Sequence, residues 1–220
     1  PPLWPASAVQ PAPITPPLPP ARSEPPRAPC RFFLRKFLRD PKDVASVWPS
    51  SRFLARALLR GVALQPGDAG VELGPGTGSF TQEIVRLLDR TTGSGYLGID
   101  RDPEFVAVLR ARFPHLEFVE ADADTLAAQL AARPHLRPRA VVSGLPLVAM
   151  PKPLVTAMLE TIREALLPGG TFRTFSYAHT VVNPASWWLR RQMRAVFPHF
   201  VVRGPVVRNL PPALVFQATC

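Results

Sequence analysis

A glycine-rich turn carries the clearest chemical signal in the sequence. Gly74, Gly76 and Gly78 follow the buried-type run Val71-Glu72-Leu73, and a helical pattern begins at Phe80. Glycines in such a turn let the backbone approach a ligand where any Cβ would collide with it. The spacing G-x-G-x-G differs from the dinucleotide fingerprint G-x-G-x-x-G, and this turn lacks the Gly-Lys-Ser/Thr of a phosphate loop. The turn therefore favours an amino-acid-bearing nucleoside over a pyrophosphate.

Three acidic residues stand close to the ends of successive strand patterns. Glu72 precedes the glycines, Asp100 closes the second strand pattern, and Asp122 follows the third. In nucleotide-binding βαβ units, an acid about 20 residues beyond the turn typically meets the ribose hydroxyls. Asp122 is placed to accept a hydrogen bond from an exocyclic adenine amine. Each acid alone would suit a turn or a helix cap, but the three in this order predict S-adenosylmethionine as the cofactor.

Strand and helix patterns alternate along most of the chain. Strands are predicted near residues 69–73, 96–100, 116–120, 140–143, 171–177, 200–207 and 213–219. Helices are predicted at residues 80–89, 103–112, 124–132, 153–167 and 187–197. Such alternation implies parallel strands covered by helices on both faces. We therefore expect an α/β fold with a doubly wound, mostly parallel seven-stranded sheet.

Two segments precede this domain, which we place at residues 61–220. Residues 1–29 are dominated by proline, so we expect a disordered or polyproline tail. Residues 30–60 are expected to form basic amphipathic helices, and Ser50 and Ser51 can cap the second of them. The basic residues of the first helix are Arg31, Arg35, Lys36 and Arg39.

The net charge of +10 is concentrated at the two ends of the chain. Residues 31–60 hold eight basic and two acidic residues, and the part that follows Glu164 holds six arginines and no acid. Residues 61–164 hold ten basic and thirteen acidic residues, so the centre is mildly acidic. Basic flanks around such a centre predict a polyanionic partner, either an anionic membrane or a nucleic acid.

Neither a membrane span nor a metal site is predicted. No apolar run reaches the roughly 18 residues of a spanning helix, so any membrane contact is expected to be peripheral. The N-terminus lacks the pattern of a secretory signal. Cys30 and Cys220 lie near opposite ends and have no metal-ligand or redox-motif spacing. We therefore expect a cytoplasmic protein without a bound metal.

With these motifs the sequence resembles class I methyltransferases, and more narrowly the bacterial phospholipid N-methyltransferases that convert phosphatidylethanolamine towards phosphatidylcholine. The resemblance covers roughly residues 31–218. The segments that carry it are the first helix from Phe33 to Pro41, Pro49-Ser50-Ser51-Arg52, the turn from Val71 to Phe80, Ser143-Gly144-Leu145-Pro146-Leu147, Leu167-Pro168-Gly169-Gly170 and Arg208-Asn209-Leu210-Pro211-Pro212-Ala213. It implies S-adenosylmethionine as the cofactor, phosphatidylethanolamine and its methylated intermediates as substrates, and a monomer peripherally associated with the inner membrane.

Ribosomal RNA adenine dimethyltransferases are the nearest alternative family. Their fourth-strand motif reads like Asn-Leu-Pro-Tyr, whereas this chain has Ser143 in place of the amide and Leu147 in place of the aromatic. That aromatic would stack an extruded base, which is a main energetic term for such enzymes. A nucleic-acid substrate is therefore disfavoured. An RNA or small-molecule methyltransferase, and a membrane-binding module with a non-catalytic cofactor site, remain the alternatives.

The candidate cofactor residues come from the glycine turn, from the strand ends and from the resemblance to the methyltransferases. They are Ser50, Ser51, Glu72, Gly74, Gly76, Gly78, Asp100, Arg101, Asp122, Ala123 and Ser143. The backbone carbonyls of Ser143, Gly144 and Leu145 are candidates for aligning the substrate amine. Tyr177 and His179 are candidates for contacting the lipid phosphate or relaying the proton, although His179 is equally typical of a surface histidine.

Candidate membrane residues lie in both basic flanks. Arg31, Arg35, Lys36 and Arg39 are expected to contact anionic head groups. Arg208 and Asn209 are expected either to contact the lipid head group or to stabilise a turn. A second membrane anchor is predicted from Trp187 and Trp188 together with Arg190, Arg191 and Arg194.

Overall fold

The computed structural model describes residues 51–220. The predicted proline-rich tail, the first basic helix with Arg31, Arg35, Lys36 and Arg39, and Ser50 lie outside the described residues. Predictions made for them therefore stay predictions.

The strands form one seven-stranded sheet. They are β1 (Ala69–Leu73), β2 (Gly95–Asp100), β3 (Glu117–Glu120), β4 (Pro138–Ser143), β5 (Thr171–Tyr177), β6 (His199–Val206) and β7 (Ala213–Thr219). Their order in the sheet is β3-β2-β1-β4-β5-β7-β6. Strands β1 to β5 run parallel, and β7 pairs antiparallel with both β5 and β6. The predicted doubly wound, mostly parallel sheet is confirmed.

The helices of the described residues connect these strands. They are α1 (Arg52–Leu59), α2 (Thr81–Leu88), α3 (Pro103–Arg112), α4 (Leu126–Ala131), α5 (Lys152–Ala165) and α6 (Pro184–Val196). Short 3₁₀ turns cover Ala123–Thr125, Leu147–Ala149 and Ala178–Val182. None of the helices within residues 51–220 has the length and apolar character needed to cross a membrane.

Successive strand residues point to opposite faces, so each strand supplies both cores. On one face, Ala140 and Val142 of β4 pack with buried side chains of α1, α2 and α3. On the other face, Val141 packs with buried side chains of α4, α5 and α6. Strands buried on both faces read as apolar runs, which is why β1 and β4 were recognisable in the sequence.

Local capping explains where α6 begins. The helix was predicted from residue 187 but begins at Pro184, because the Asn183 side chain accepts a hydrogen bond from the Ala185 N–H at 2.8 Å. Proline suits the first helical position, where an N–H would have no partner within the helix. The added turn of helix brings the start of α6 close to the end of β5.

The carboxyl ends of β1 to β5 meet at one edge of the sheet, where ligands bind in open α/β folds. Tyr177 at the end of β5 pairs with Ala213 at the start of β7, so the β6–β7 turn reaches the same edge. We call this edge the rim. It comprises residues 74–80, 101–102, 121–125, 144–151, 178–183 and 207–212.

Candidate active site

The glycine turn leaves β1 with its backbone in the left-handed region. Gly74, Gly76 and Gly78 have φ values of +68°, +54° and +79°, which L side chains rarely adopt. A Cβ built on Gly76 would have no atom within 4 Å, so the turn is open on that side. Gly78 is different, because a Cβ there would lie 2.9 Å from Leu109 Cδ2. Gly76 therefore presents backbone to a ligand, whereas Gly78 packs against α3.

Asp100 lies beside this open turn at the end of β2. Its Oδ2 accepts a hydrogen bond from the Gly76 N–H at 2.8 Å, and its Oδ1 accepts one from the Asp102 N–H at 3.0 Å. The carboxylate is largely buried and fixed by two backbone groups. A fixed acceptor at the end of the second strand is what ribose hydroxyls meet in nucleotide-binding βαβ units. The predicted position of Asp100 next to the glycine turn agrees with the structure.

Glu72 lies in the core beneath the turn. Its Oε2 accepts hydrogen bonds from the Thr81 hydroxyl at 2.7 Å and the Tyr96 hydroxyl at 2.6 Å. Burial raises the pKa of Glu72 to about 7, and the charge of Asp100 adds to this rise, although the two hydroxyl donors oppose it. Oε1 is buried and has no partner among the described residues. The contacts of Glu72 thus join β1, β2 and the start of α2 below the glycine turn.

The residues that follow β4 pack against the same glycine turn. Ser143 is completely buried, and its Oγ accepts a hydrogen bond from the Leu145 N–H at 3.2 Å. The Gly144 N–H donates to the Leu73 carbonyl at 2.8 Å. A Cβ on Gly144 would lie 2.6 Å from the Gly74 carbonyl oxygen, so only glycine fits there without a backbone shift. The backbone at Gly144 therefore adjoins the cofactor side of the rim.

Three further predicted cofactor residues, Arg101, Asp122 and Ala123, lie on the rim. Asp122 is exposed, and its carboxylate forms no capping hydrogen bond to the 3₁₀ turn that it precedes. Arg101 is exposed next to Asp100, and Ala123 is partly buried. The open side of Gly76, the fixed carboxylate of Asp100 and the exposed Asp122 fit an adenosyl group lying across the ends of β1, β2 and β3.

An aromatic pair lies at the end of β5. The rings of Tyr177 and His179 stack with centroids 5.8 Å apart and an angle of 11° between their planes. Tyr177 also meets Phe175 edge to face at 5.6 Å. His179 is exposed and Tyr177 is partly buried, and we call these two residues the aromatic pair.

The comparisons with known proteins agree with this geometry. The sequence profile of the family described as "Methyltransferase domain" matches residues 71–170. The ornithine lipid N-methyltransferase of Singulisphaera acidiphila is 34% identical over 187 residues, which is 83% of this chain and 91% of that protein. The chain belongs to the class I S-adenosylmethionine-dependent N-methyltransferases. S-adenosylmethionine is its cofactor, as the turn and the strand-end acids predicted.

The chain is also similar to methyltransferases that act on other substrates. The ribosomal RNA small subunit methyltransferase A of Laribacter hongkongensis is 35% identical over 94 residues, covering 43% of this chain and 34% of that protein. The 1,6-didemethyltoxoflavin-N1-methyltransferase of Burkholderia thailandensis, solved with S-adenosylhomocysteine, superposes with a TM-score of 0.57. At 19% identity, over 89% of this chain and 93% of that one, it shows the fold.

A hydrogen bond joins Ser51 and Asn209 of the methyltransferase. Ser51 Oγ accepts a hydrogen bond from the Leu54 N–H at 3.2 Å and caps α1, while its own N–H donates to Asn209 Oδ1 at 3.0 Å. Asn209 is buried, and its Nδ2 donates to the Pro211 carbonyl at 2.7 Å. These contacts confirm the predicted capping role of Ser51, whereas its predicted cofactor contact stays a prediction. For Asn209 they support the turn-stabilising alternative.

The predicted second anchor does not form one basic face. Trp187 is exposed, but Trp188 is partly buried beneath Lys152, whose Nζ lies 5.6 Å from the ring centroid. Arg190 and Arg194 lie over the rings of Phe216 and Phe200, at 5.6 Å and 5.4 Å. Of the predicted set, only Trp187 and Arg191 are exposed without such a ring contact among the described residues.

Arg112 is a site residue that sequence reasoning missed. Its guanidinium donates to the Thr77 carbonyl at 3.0 Å and to Gln82 Oε1 at 3.2 Å, so α3 holds the glycine turn against α2. An arginine in the last turn of a helix is common, and its spacing from the glycines carries no signal. Within residues 51–220, no group of three His, Cys, Asp or Glu side chains could hold a metal ion.

Proposed function

We propose that this methyltransferase transfers methyl groups to the amine of a membrane lipid, with phosphatidylethanolamine and its methylated intermediates as substrates. The observation that carries the proposal is the extent of similarity. The match to a lipid N-methyltransferase covers 91% of that protein, whereas the match to the Laribacter ribosomal RNA enzyme covers 34% of its length. The lipid enzyme is thus matched over most of its length, and the ribosomal RNA enzyme over about a third of its length.

The position of Leu147 argues against an extruded RNA base as the substrate. Leu147 follows the exit of β4, where ribosomal RNA enzymes carry the stacking aromatic. Its side chain is buried in the core on the face of α5 and α6. A buried leucine offers no face for a flipped base, and base stacking is a main source of binding energy for such enzymes. The lipid amine needs no stacking partner.

Residues of the rim and Asp100 beside it have separate roles in the proposed reaction. When bound, S-adenosylmethionine supplies an electrophilic methyl group that a neutral amine displaces from sulfur. We assign the holding of this cofactor to Asp100 and the glycine turn, and the alignment of the amine to the carbonyl of Gly144. The Leu145 carbonyl accepts from the Leu147 N–H at 2.9 Å and serves the turn instead. Alignment and exclusion of water provide most of the rate in such a displacement.

The aromatic pair and Arg208 on the rim suit the rest of the head group. The faces of Tyr177 and His179 stabilise the positive charge that the amine gains as the methyl group arrives. The released proton passes to the exposed His179 or directly to solvent. Arg208 is exposed, and its guanidinium lies 5.2 Å from the centroid of the Phe53 ring, which fixes a positive charge on the rim. This charge suits the phosphate of phosphatidylethanolamine.

Ornithine lipid is a second candidate, favoured by the identity of the Singulisphaera relative. It also presents a free amine with an anionic group, here a carboxylate, so the same arginine serves either lipid. For both substrates we propose that the enzyme acts as a monomer, peripherally bound to the inner membrane, with Arg31, Arg35, Lys36 and Arg39 on anionic head groups.

Labelled S-adenosylmethionine tests the proposal directly. The enzyme is incubated with vesicles that contain phosphatidylethanolamine, ornithine lipid or only phosphatidylcholine, and separately with ribosomal RNA. We expect label in one or both lipids that carry a free amine, and none in phosphatidylcholine or RNA. Label in RNA with unlabelled lipids would contradict the proposal.

A further inference from the structure

Exposed apolar side chains of the described residues concentrate at the rim. The large apolar residues with the greatest exposure are Val182 (79%), Val207 (70%), Leu210 (68%), Trp187 (61%) and Val201 (46%). Val182, Val207 and Leu210 lie in rim segments, and Trp187 lies in the first turn of α6 beside the rim. Val201 alone lies away from it, within β6. We call Val182, Trp187, Val207 and Leu210 the apolar rim patch.

Hydrogen bonds join the segments that carry this patch. The Ala178 N–H donates to the Pro212 carbonyl at 2.7 Å, which links the 3₁₀ turn after β5 to the β6–β7 turn. Trp187 Nε1 donates to the Val181 carbonyl at 2.7 Å, which fixes the indole beside Val182. These bonds therefore hold the segments of the patch together in the folded protein.

The segments that carry the patch contain no acidic residue. The chain has no acidic residue after Glu164, so both patch segments lack carboxylates. Arg208 lies within the β6–β7 turn between Val207 and Leu210 and is exposed. A contiguous exposed apolar surface marks an interaction site, and aromatic, aliphatic and arginine side chains together suit the interfacial zone of a lipid bilayer.

We propose that the apolar rim patch is a membrane-contact surface that inserts into the interfacial zone of a phospholipid bilayer and turns the rim towards the lipid. The inference rests on the proposed function and adds the orientation of the enzyme. The patch shares the rim with the glycine turn and Gly144, so a lipid amine reaches the cofactor without leaving the interface. The Ser51 N–H donates to Asn209 of the β6–β7 turn, so α1 begins beside the same rim.

A pair of labelled variants tests the orientation in the full chain. Val207→Cys and, as the matched control, Val201→Cys are made in a Cys30→Ser/Cys220→Ser background and labelled with an environment-sensitive dye. Vesicles of mixed phosphatidylcholine and phosphatidylglycerol should shift the emission at position 207 to the blue and leave position 201 unchanged. Equal shifts at both positions, or no shift at 207 when the protein is vesicle-bound, would overturn the proposal.

A serine variant measures the contribution of the patch to binding. Val182→Ser/Val207→Ser/Leu210→Ser should partition to these vesicles about tenfold more weakly than wild type, because apolar surface is no longer buried in the interface. Val201→Ser is the control and should bind as wild type does. Transfer to lipid amines dispersed in detergent micelles should be unchanged in both. If the triple variant binds vesicles as strongly as wild type does, the proposal that the patch contacts the membrane is overturned.

The same assays separate the two proposals. If wild type methylates no lipid amine in micelles, yet labelled Val207→Cys shows the blue shift on vesicles, the result contradicts the proposed function and supports the patch. If wild type methylates lipid in micelles, but labelled Val207→Cys shows no shift on vesicles, the result supports the proposed function and contradicts the patch.

Discussion

Gly144 lies so close to Gly74 that a Cβ on Gly144 would come within 2.6 Å of the Gly74 carbonyl oxygen. Gly74 opens the glycine turn that we assign to the cofactor, and Gly144 belongs to the segment that we assign to the substrate amine. The contact involves backbone on both sides, so a flexible side chain cannot relieve it. The two halves of the active site are therefore joined by direct backbone packing.

This contact predicts that Gly144→Ala is damaging. The added methyl group forces the β4 exit and the glycine turn apart, which we expect to cost about 1–3 kcal/mol of stability. Methyl transfer should fall by about tenfold or more, since misplaced reacting groups lose rate steeply. Chemical denaturation and an initial-rate assay measure the two effects.

Gly70→Ala is the matched control, because its Cβ would lie 3.6 Å from Ile84 Cγ2, an ordinary van der Waals distance. This variant should keep near-normal activity. Equal losses in both variants would show that any added methyl group in this sheet is harmful, and that the Gly144 contact has no special role.

The buried Glu72 predicts a pH-dependent stability. Because burial raises its pKa from 4.5 to about 7 in the folded state, its stabilising contribution is fully present below about pH 4.5 and is lost as the pH rises through 7. The cost of ionisation is about 3 kcal/mol. Glu72→Gln removes this cost, so its stability relative to wild type should rise by about 2 kcal/mol between pH 5 and pH 8. A constant difference between the two proteins over that range would show that Glu72 is ionised throughout.

Asp100 should contribute directly to cofactor affinity. Asp100→Asn removes the charge that a ribose hydroxyl meets, so we expect roughly tenfold to hundredfold weaker binding of S-adenosylmethionine. Isothermal titration calorimetry measures it. Asp102→Asn is a suitable control, because Asp102 caps α3 through hydrogen bonds from the Glu104 and Phe105 N–H groups, and asparagine also caps well. An affinity that falls equally in both variants would assign the loss to the loop and not to the carboxylate.

Asn209 should matter for stability more than its neighbour Arg208. Asn209→Ala leaves the Ser51 N–H and the Pro211 carbonyl without their partner, which we expect to cost about 1–3 kcal/mol. Arg208→Ala removes an exposed contact with the Phe53 ring and should cost about 0.5–1 kcal/mol. Urea denaturation of the two variants compares them. A larger loss in Arg208→Ala would contradict the assigned roles.

The sheet and the cofactor side were predictable because their signals are local. Apolar strand runs, alternating helices and the glycine turn each depend on residues close in sequence, and the carboxyl ends of parallel strands must share one edge. Gly76 and Asp100 therefore met as expected, although 24 residues separate them.

The contacts that the sequence did not reveal join distant residues. Ser51 and Asn209 are 158 residues apart, and no pattern around either one indicates the other. Helical spacing placed Trp188, Arg190 and Arg194 near one another but could not tell which side of α6 packs on the sheet. Glu72 was recognisable as an acid at a strand end, whereas its burial beneath Tyr96 and Thr81 depends on the tertiary packing of α2 and β2.

Lipid analysis of cells is the most direct test of the central claim. A bacterial host that makes phosphatidylethanolamine but no methylated lipids would express wild type or Asp100→Asn, with and without ornithine lipid supplied. Mass spectrometry of the extracted lipids should show mono-, di- or trimethylated head groups with wild type and much less with the variant. Unmethylated lipids in cells that contain the folded wild-type enzyme, together with new methyl groups on ribosomal RNA, would contradict the account.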